Sequence, residues 1–380
     1  MRIGIDGEAL RSPLSGVGQY VYNLCRELEL LLPTAVFLAY SRLPASALRL
    51  PSARWQLRRE PLAAFRRLPS FVWLKSRGRA MCLADGIDVF WAGRTLHPGL
   101  GDKARTIVTI HDLNHLLWPK TMQLSTRWSH KLWFRHDVLS AQVRLANSDS
   151  TAMRVRDLIC TSVDAVVRPG VGAHFCAVPD QRTLSDFRSR IGVHGPYILS
   201  VANSEPRKNL AVLVDAFIGL KKRGYLRDHA LLLVGDAGWK RRVSKAKAES
   251  ARSCNVITLG YLPDELMPSL YAAADLFVMP SLYEGFGMPL LEARVCGTRL
   301  VATDIPELHE SGENHCVFVE PTVDGVSGGI LSASQSQPPE RKSSAPWSAE
   351  YSWQRAALAM LPFLGAEVVR ERRVQKLLQL

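Results

Sequence analysis

Short, nearly continuous apolar runs alternate along the chain with longer segments whose apolar positions recur at spacings of three and four. In the first half the runs predict strands near 2–6, 35–41, 88–91, 106–110, 143–147 and 164–168, with helical periodicity at 18–32, 127–140 and 149–159. The pattern then restarts. Strands are predicted near 197–202, 230–235, 255–259, 275–279, 299–303 and 315–319, and helices near 209–223, 239–251, 264–273 and 288–297. Strands alternating with helices signal parallel sheets. Two such series predict two Rossmann-like domains, 1–172 and 193–350, joined by a linker at 173–192. Ligands of such sheets bind at the carboxyl ends of the strands, so a cleft between the domains is the expected site. Residues 331–348, rich in Ser, Pro and Gln, read as a flexible loop. A helical pattern resumes at Trp353, Ala356, Ala357, Met360, Leu361 and Leu364, which Pro362 and Gly365 should kink or split. The segment 351–380 ends in the basic residues Arg370, Arg372, Arg373 and Lys376.

Composition narrows the class. At roughly 150 residues per domain, 380 residues suit two domains. A 47% hydrophobic content excludes general disorder, and no apolar run approaches the roughly 18 residues of a membrane span. The opening Met1-Arg2-Ile3-Gly4-Ile5-Asp6 reads as a strand and not as a secretory leader. Seven scattered cysteines without a CxxC indicate reduced thiols in a cytosolic protein.

Charge is uneven. Up to Gly172 there are 24 basic and 13 acidic residues; beyond it, 24 and 22. One stretch dominates: Arg54, Arg58, Arg59, Arg66, Arg67, Lys75, Arg77 and Arg79 against Glu60 alone, interleaved with Trp55, Phe65, Phe71, Val72, Trp73 and Leu74. A second basic-aromatic segment covers 127–135. Cations mixed with aromatics suit an anionic membrane surface. A solvated basic face and a nucleic-acid surface are the competing readings, and no nucleic-acid partner is expected.

Four constellations carry chemistry. Gly16, Val17 and Gly18 follow the opening strand, where free backbone N–H groups and a helix dipole can meet an anion. A dinucleotide fingerprint would want glycine at Val21, so an ordinary tight loop remains open. His111 stands at the end of a buried strand and is a candidate substrate contact. His111 and His115 have zinc-like spacing, but Asp112 replaces the expected glutamate and Pro119 follows, so no metal is assigned. Arg207 and Lys208 sit before a helix, where the dipole disfavours cations, so a diphosphate is expected beside them. Glu284 and Glu292 bracket the turn Gly285-Phe286-Gly287-Met288 and the helix start at Pro289. A carboxylate one turn into that helix can accept both hydrogen bonds of a ribose diol.

With these in place the chain resembles the retaining GT-B glycosyltransferases of family 4. The E-x7-E motif, Glu284 to Glu292 within EGFGMPLLEA, is the most specific element; EPRKN, SGVG, IHDLNHLLWP and GYLPDELMPSLYAAADLFVMPS agree, over roughly residues 1–320. The resemblance implies a GT-B fold, two Rossmann-like domains facing across a cleft with a C-terminal helix crossing back to the first. It implies that Arg207 and Lys208 neutralise the donor diphosphate, that Glu292 holds the ribose and that Gly16 lines the phosphate site. It implies further that His111 faces the transferred sugar, which Glu284 and the Phe286-Gly287-Met288 backbone hold. The family needs no metal or other cofactor, attack occurs on the face the leaving group departs from, and no side chain is assigned as general base. Departures are Ala202-Asn203, Arg168-Pro169-Gly170-Val171-Gly172 and Arg299, where relatives carry other residues.

Within the family the chain looks like mannosyltransferases of O-antigen and cell-surface polysaccharide assembly. That implies GDP-mannose as donor, with GDP-rhamnose or a UDP-sugar next. It also implies an undecaprenyl-diphosphate-linked acceptor and a peripheral place on the inner face of the cytoplasmic membrane. A non-catalytic GT-B binding module and a nucleotide-binding dehydrogenase are the competing classes; the paired glutamates and Lys208 oppose both.

Overall fold

The computed structural model describes residues 1–365 other than 123, 178, 194, 204, 236–244 and 337–349. The chain divides into two compact units, Met1–Gly170 with the segment from Trp353, and Val171–Ser352.

The first unit is built on seven parallel strands: β1 (Arg2–Asp6), β2 (Val36–Ser41), β3 (Trp55–Arg59), β4 (Val89–Ala92), β5 (Arg105–Ile110), β6 (Val143–Ala146) and β7 (Ala165–Val166). Their order is β3-β2-β1-β4-β5-β6-β7. Helices cover both faces, so the central strands are largely buried; β4 is apolar and buried along its whole length. Its Trp91 still satisfies its ring N–H, which donates to Thr109 Oγ1 at 2.9 Å.

Strand β3 was not predicted. Only Trp55 of WQLRR is buried, stacked on Phe37 at 4.7 Å between centroids. The strand lies at the sheet's edge, where one row of backbone groups faces water and charged residues discourage pairing with other chains. Polar residues are therefore tolerated, and the apolar run that marks a central strand is missing.

Many cations of 54–79, expected as a basic membrane face, also have partners within the unit, although Arg54, Arg58, Arg59, Arg67 and Arg79 stay exposed. Arg54 donates to the carbonyls of Glu29, Leu32, Pro33 and Ala35. Arg58 pairs with Asp85, Lys75 with Asp137 and Arg77 with Glu60. Arg66 donates to the carbonyls of Glu60 and Pro61, and Arg79 to that of Gly99. Trp55, Trp73 and Leu74 are core residues. The Trp73 indole donates to Glu60 Oε2 at 2.8 Å.

The second unit has six parallel strands: β8 (Tyr197–Val201), β9 (Ala230–Val234), β10 (Val256–Gly260), β11 (Leu276–Met279), β12 (Arg299–Thr303) and β13 (Cys316–Val319). Their order is β10-β9-β8-β11-β12-β13. The expected linker 173–192 is not a bare connection. It forms the helices Ala173–Cys176 and Gln181–Arg190, whose Phe175, Leu184 and Phe187 are buried in this unit's core. The sparse apolar positions in QRTLSDFRSR hid that one-sided burial.

A helix at Val323–Gln335 overlaps the expected loop 331–348. Residues 337–348 of that loop, 239–244 of the expected helix 239–251 and the basic tail lie outside the described residues. Glycines concealed the helix. One of them serves close packing: a Cβ on Gly329 would come within 2.6 Å of Val319 Cγ1 and 2.9 Å of Val301 Cγ1. Thr322 Oγ1 caps its start by accepting from Gly325 N at 3.1 Å.

From Trp353 the chain returns to the first unit as the helix Trp353–Leu364, which runs through Pro362 and ends before Gly365. Trp353 meets Tyr20 edge-on at 5.8 Å, beside the helix Gly16–Leu31. No helix among the described residues is long and apolar enough to cross a membrane.

Candidate active site

In the second unit, two loops at the carboxyl ends of neighbouring strands converge. After β8, Arg207 and Lys208 lie in the 3-10 turn Pro206–Lys208, just before the helix Leu210–Lys222 rather than within its first turn. Asn209 separates the two in a left-handed conformation, φ 54°. After β11, residues 280–287 lead into the helix Met288–Val295. A backbone hydrogen bond from Leu282 N to Arg207 O at 2.7 Å ties the loops together.

Their side chains form one cluster. Lys208 Nζ lies 2.5 Å from Glu284 Oε1, and Arg207 Nη1 lies 3.2 Å from Glu284 Oε2 and 2.9 Å from Tyr283 O. Arg207 Nε also donates to Glu205 Oε2 at 2.7 Å. All three central side chains are largely buried, with 7–12% exposure. Burial pushes the Glu284 carboxyl up, but the charges of Lys208 and Arg207 outweigh it and hold the group below its usual range. Burial pulls Lys208 down against the attraction of Glu284. The carboxylate is therefore firmly ionised, and two partly desolvated cations share it. Glu205 and Glu284 set two carboxylates against the two cations, so an incoming diphosphate must share or displace part of this pairing.

The glycine turn is sterically required. Gly287 has φ 90°, and a Cβ there would come within 2.5 Å of Leu308 Cδ2. Phe286 is buried in the core and 6.3 Å from Tyr351, so only its backbone is available to a ligand. Gly285 and Met288 are half-buried on either side.

Glu292, on the helix Met288–Val295, has a different partner set. Tyr271 Oη donates to its Oε2 at 2.8 Å. Burial pushes its carboxyl up to about 7, with the Tyr271 hydrogen bond opposing and Asp264 assisting. In an unfolded chain the group would ionise near 4.5. Between those values the folded state holds the extra proton, so this group's contribution to stability falls as pH rises from about 4.5 to 7. A ligand diol that donates to the carboxylate should conversely bind more tightly as pH rises through 7. Glu292→Gln should weaken nucleotide binding and flatten its pH dependence, read by calorimetric titration between pH 5.5 and 8.5. An unchanged slope in the variant would remove Glu292 from the nucleotide site.

The first unit carries its own polar edge. Gly16 opens the helix Gly16–Leu31, capped by Ser15 Oγ accepting from Gly18 N at 3.1 Å. Gly18 is required by packing, since a Cβ there would lie 2.8 Å from Ala9 O. Gly16 is exposed and has nothing within 4 Å of its missing Cβ, so the fold alone does not demand glycine there. Val17 is half-buried between them. Val21, at the third glycine of a dinucleotide fingerprint, fills the space left by Gly93, whose Cβ would come within 2.5 Å of Val21 Cγ2.

His111 follows β5. Its Nε2 lies 2.7 Å from Gly93 O and its ring meets Tyr20 edge-on at 4.8 Å. A carbonyl only accepts, so Nε2 carries the hydrogen and Nδ1 is the acceptor. Burial lowers the ring's pKa, against Gly93 O and Asp112, so the imidazole is neutral near pH 7. His115 instead packs on Phe134 at 4.1 Å, and the two histidines face different neighbours.

The structure thus brings Arg207, Lys208 and Glu284 into contact and places Glu292 on the helix that follows. Gly16, Val17, Gly18 and His111 stand at the strand ends of the first unit. Sequence reasoning missed three residues. Tyr271, within the apolar SLYAAA run, offers no polar signal but hydrogen-bonds Glu292. Arg94, two residues past β4, donates twice to Asp6 Oδ2, at 2.8 and 2.5 Å. Asn147, the first residue past β6, is buried with no partner for Oδ1 among the described residues. For the last two the available signal was position: polar residues directly after an apolar strand.

Residues 181–345 match the family model of the glycosyl transferases group 1. The chain is 29% identical over 357 residues to O-antigen chain mannosyltransferase B of Escherichia coli, covering 88% of this chain and 91% of that protein. It is 28% identical over 174 residues to the GDP-mannose-dependent alpha-(1-6)-phosphatidylinositol monomannoside mannosyltransferase of Mycolicibacterium smegmatis, covering 43% and 44% of the two. Among solved structures it is similar to the sucrose-phosphate synthase of Thermosynechococcus elongatus, with TM-score 0.68 and 18% identity, covering 100% and 98% of the two chains. It is also similar to WaaG, a glycosyltransferase involved in lipopolysaccharide biosynthesis, with TM-score 0.67 and 16% identity, covering 97% and 100%. At these identities the likeness is one of fold, and the fold is GT-B.

Proposed function

Starting from a chain whose residues 181–345 match the group 1 glycosyltransferase family model, we propose that it is a retaining mannosyltransferase. It moves mannose from GDP-mannose to a lipid-linked oligosaccharide, an undecaprenyl-diphosphate glycan, in O-antigen assembly at the inner membrane face. The coarser part, a hexosyltransferase related to O-antigen enzymes, is carried by the family match and the first relative. Mannose is supported by the names of both relatives, and GDP by that of the second. The observation that carries the chemistry is the convergence of Lys208 and Arg207 on the buried Glu284 carboxylate.

The chemistry follows from that charge arrangement. The bond between the sugar's anomeric carbon and the diphosphate oxygen breaks, and the electron pair leaves with the diphosphate. Lys208 and Arg207 stabilise the negative charge that develops there, a term worth several kcal/mol in a site preorganised for it. Glu284, held ionised, is placed for the hydroxyls of the sugar and for the positive character growing at its ring. The acceptor hydroxyl attacks the face that the diphosphate leaves and passes its proton to the departing phosphate oxygen. Glu292, steadied by Tyr271, accepts from the ribose. In the first unit, Nδ1 of neutral His111 is an acceptor for a sugar hydroxyl.

The test is incubation of the full chain with GDP-mannose, GDP-rhamnose and UDP-sugars and a lipid-linked acceptor, with the new linkage read by NMR. Transfer from GDP-mannose with the donor's anomeric configuration kept is expected; inversion, or transfer only from a UDP-sugar, would overturn the reading. Activity should persist in EDTA, since Arg207 and Lys208 supply the positive charge that a metal would bring. Loss in EDTA with recovery on adding Mg²⁺ or Mn²⁺ would contradict this.

A further inference from the structure

Among the described residues, the largest run of exposed apolar side chains lies not in 54–79 but on the helix Leu124–Ser140 of the first unit. Leu124, Trp128 and Leu132 are 70%, 56% and 59% exposed. At about 100° per residue, this spacing of four puts them within an arc of about 80°, and Leu139, also exposed, falls in it. The helix is anchored outside that arc. Phe134 and Val138 are buried, and Asp137 pairs with Lys75. Trp133 packs on Phe71 at 5.2 Å. The apolar stripe is therefore held outward by a fixed inner face.

Charge identifies what covers it. Between Asp112 and Asp137 the sequence has Lys120, Arg127, Lys131 and Arg135 and no carboxylate. All four cations are exposed, and Arg127, Lys131 and Arg135 fall within or beside the apolar arc. Lys131 Nζ sits 5.4 Å from the Trp128 ring centroid. Just before the helix, Leu116 and Trp118 are exposed as well. A second copy of the chain would set cations against cations here. An anionic bilayer offers acyl chains to the leucines, the headgroup boundary to the tryptophans and phosphates to the cations. We propose that the helix Leu124–Ser140 lies in the plane of an anionic membrane, its Leu124–Trp128–Leu132 stripe entering the interface. This rests on the reading above that the acceptor is lipid-linked, and it names the surface that brings the enzyme to it.

The test uses the full chain and vesicles of phosphatidylglycerol and phosphatidylcholine in equal amounts, with phosphatidylcholine alone as comparison. The wild type should sediment with the anionic vesicles and bind the neutral ones weakly. Combining Leu124→Ser, Trp128→Ser and Leu132→Ser should weaken anionic vesicle binding by about tenfold or more. Combining Arg127→Gln, Lys131→Gln and Arg135→Gln should remove the preference for anionic lipid. All six positions are exposed, so folding, checked by circular dichroism, and transfer to a water-soluble acceptor should be unchanged. Equal sedimentation of wild type and both variants would overturn the proposal. So would a lipid-free dimer that the serine variant abolishes. Vesicle binding that behaves as described, without transfer to any acceptor, would instead overturn the reaction and leave the surface standing.

Discussion

Lys208→Ala should lower kcat/KM by about 10²-fold or more, the usual scale for removing one preorganised charge-stabilising group. The lysine is only 12% exposed and its ammonium lies 2.5 Å from Glu284. Its charge is therefore little screened by water, and no neighbouring solvent dipole can replace it as the diphosphate leaves. Breaking a buried ion pair also costs stability, about 3–5 kcal/mol when one partner is left uncompensated. Arg207 still contacts Glu284 in the variant, so the smaller figure is expected, and a melting curve must accompany the kinetics. Lys208→Arg keeps the charge but not the compact ammonium, and should recover part of the loss. A folded Lys208→Ala enzyme with wild-type kcat/KM would remove Lys208 from the leaving-group site.

Glu284→Gln should separate binding from turnover. In the free protein the carboxylate already occupies both cations, acting as an internal anion with which an incoming diphosphate must compete. Neutral glutamine leaves Lys208 without its carboxylate partner and Arg207 with Glu205 alone. GDP, which needs no contact from Glu284 to a sugar, should then bind more tightly, by about tenfold if the released pair yields roughly 1.4 kcal/mol. Turnover should fall by about 10²-fold or more, because the charge facing the sugar is gone. Calorimetry with GDP and single-turnover kinetics with the donor read the two effects separately. Weaker GDP binding in the variant would mean that Glu284 contacts the nucleotide directly instead of restraining the cations.

The central strands were legible because burial on both faces leaves an uninterrupted apolar run, as in VFWA of β4 and ALLLV of β9. Strand β3 and the helix Val323–Gln335 were not. One is an edge strand with one buried residue, and the other relies on a glycine that only a neighbouring sheet explains. Charge was an incomplete local signal. The count over 54–79 treats each cation as free of partners, yet Asp85 for Arg58, Asp137 for Lys75 and the carbonyls of Glu29 to Ala35 for Arg54 are distant in sequence. Conversely the exposed leucines of 124–132 have the four-residue spacing that would mark a buried face in most helices. Motif spacing placed Glu284 and Glu292 correctly on a loop and its helix. It could not reveal that Glu284 meets Lys208, 76 residues earlier, or that Tyr271 supports Glu292.

The return of the helix Trp353–Leu364 to the first unit has a consequence for biosynthesis. A ribosome that has released residues 1–170 has supplied every strand of that sheet but not the helix whose Trp353 meets Tyr20. The docking sites for Trp353, Ala356, Ala357, Met360, Leu361 and Leu364 stay wet while the whole second unit is translated. At about 5–20 residues per second that interval lasts roughly ten seconds or more. During it, the nascent first unit presents an unfilled apolar seam along the helix Gly16–Leu31, the surface most in need of chaperone cover. The second unit, continuous from Val171 to Ser352, can close as soon as it is made.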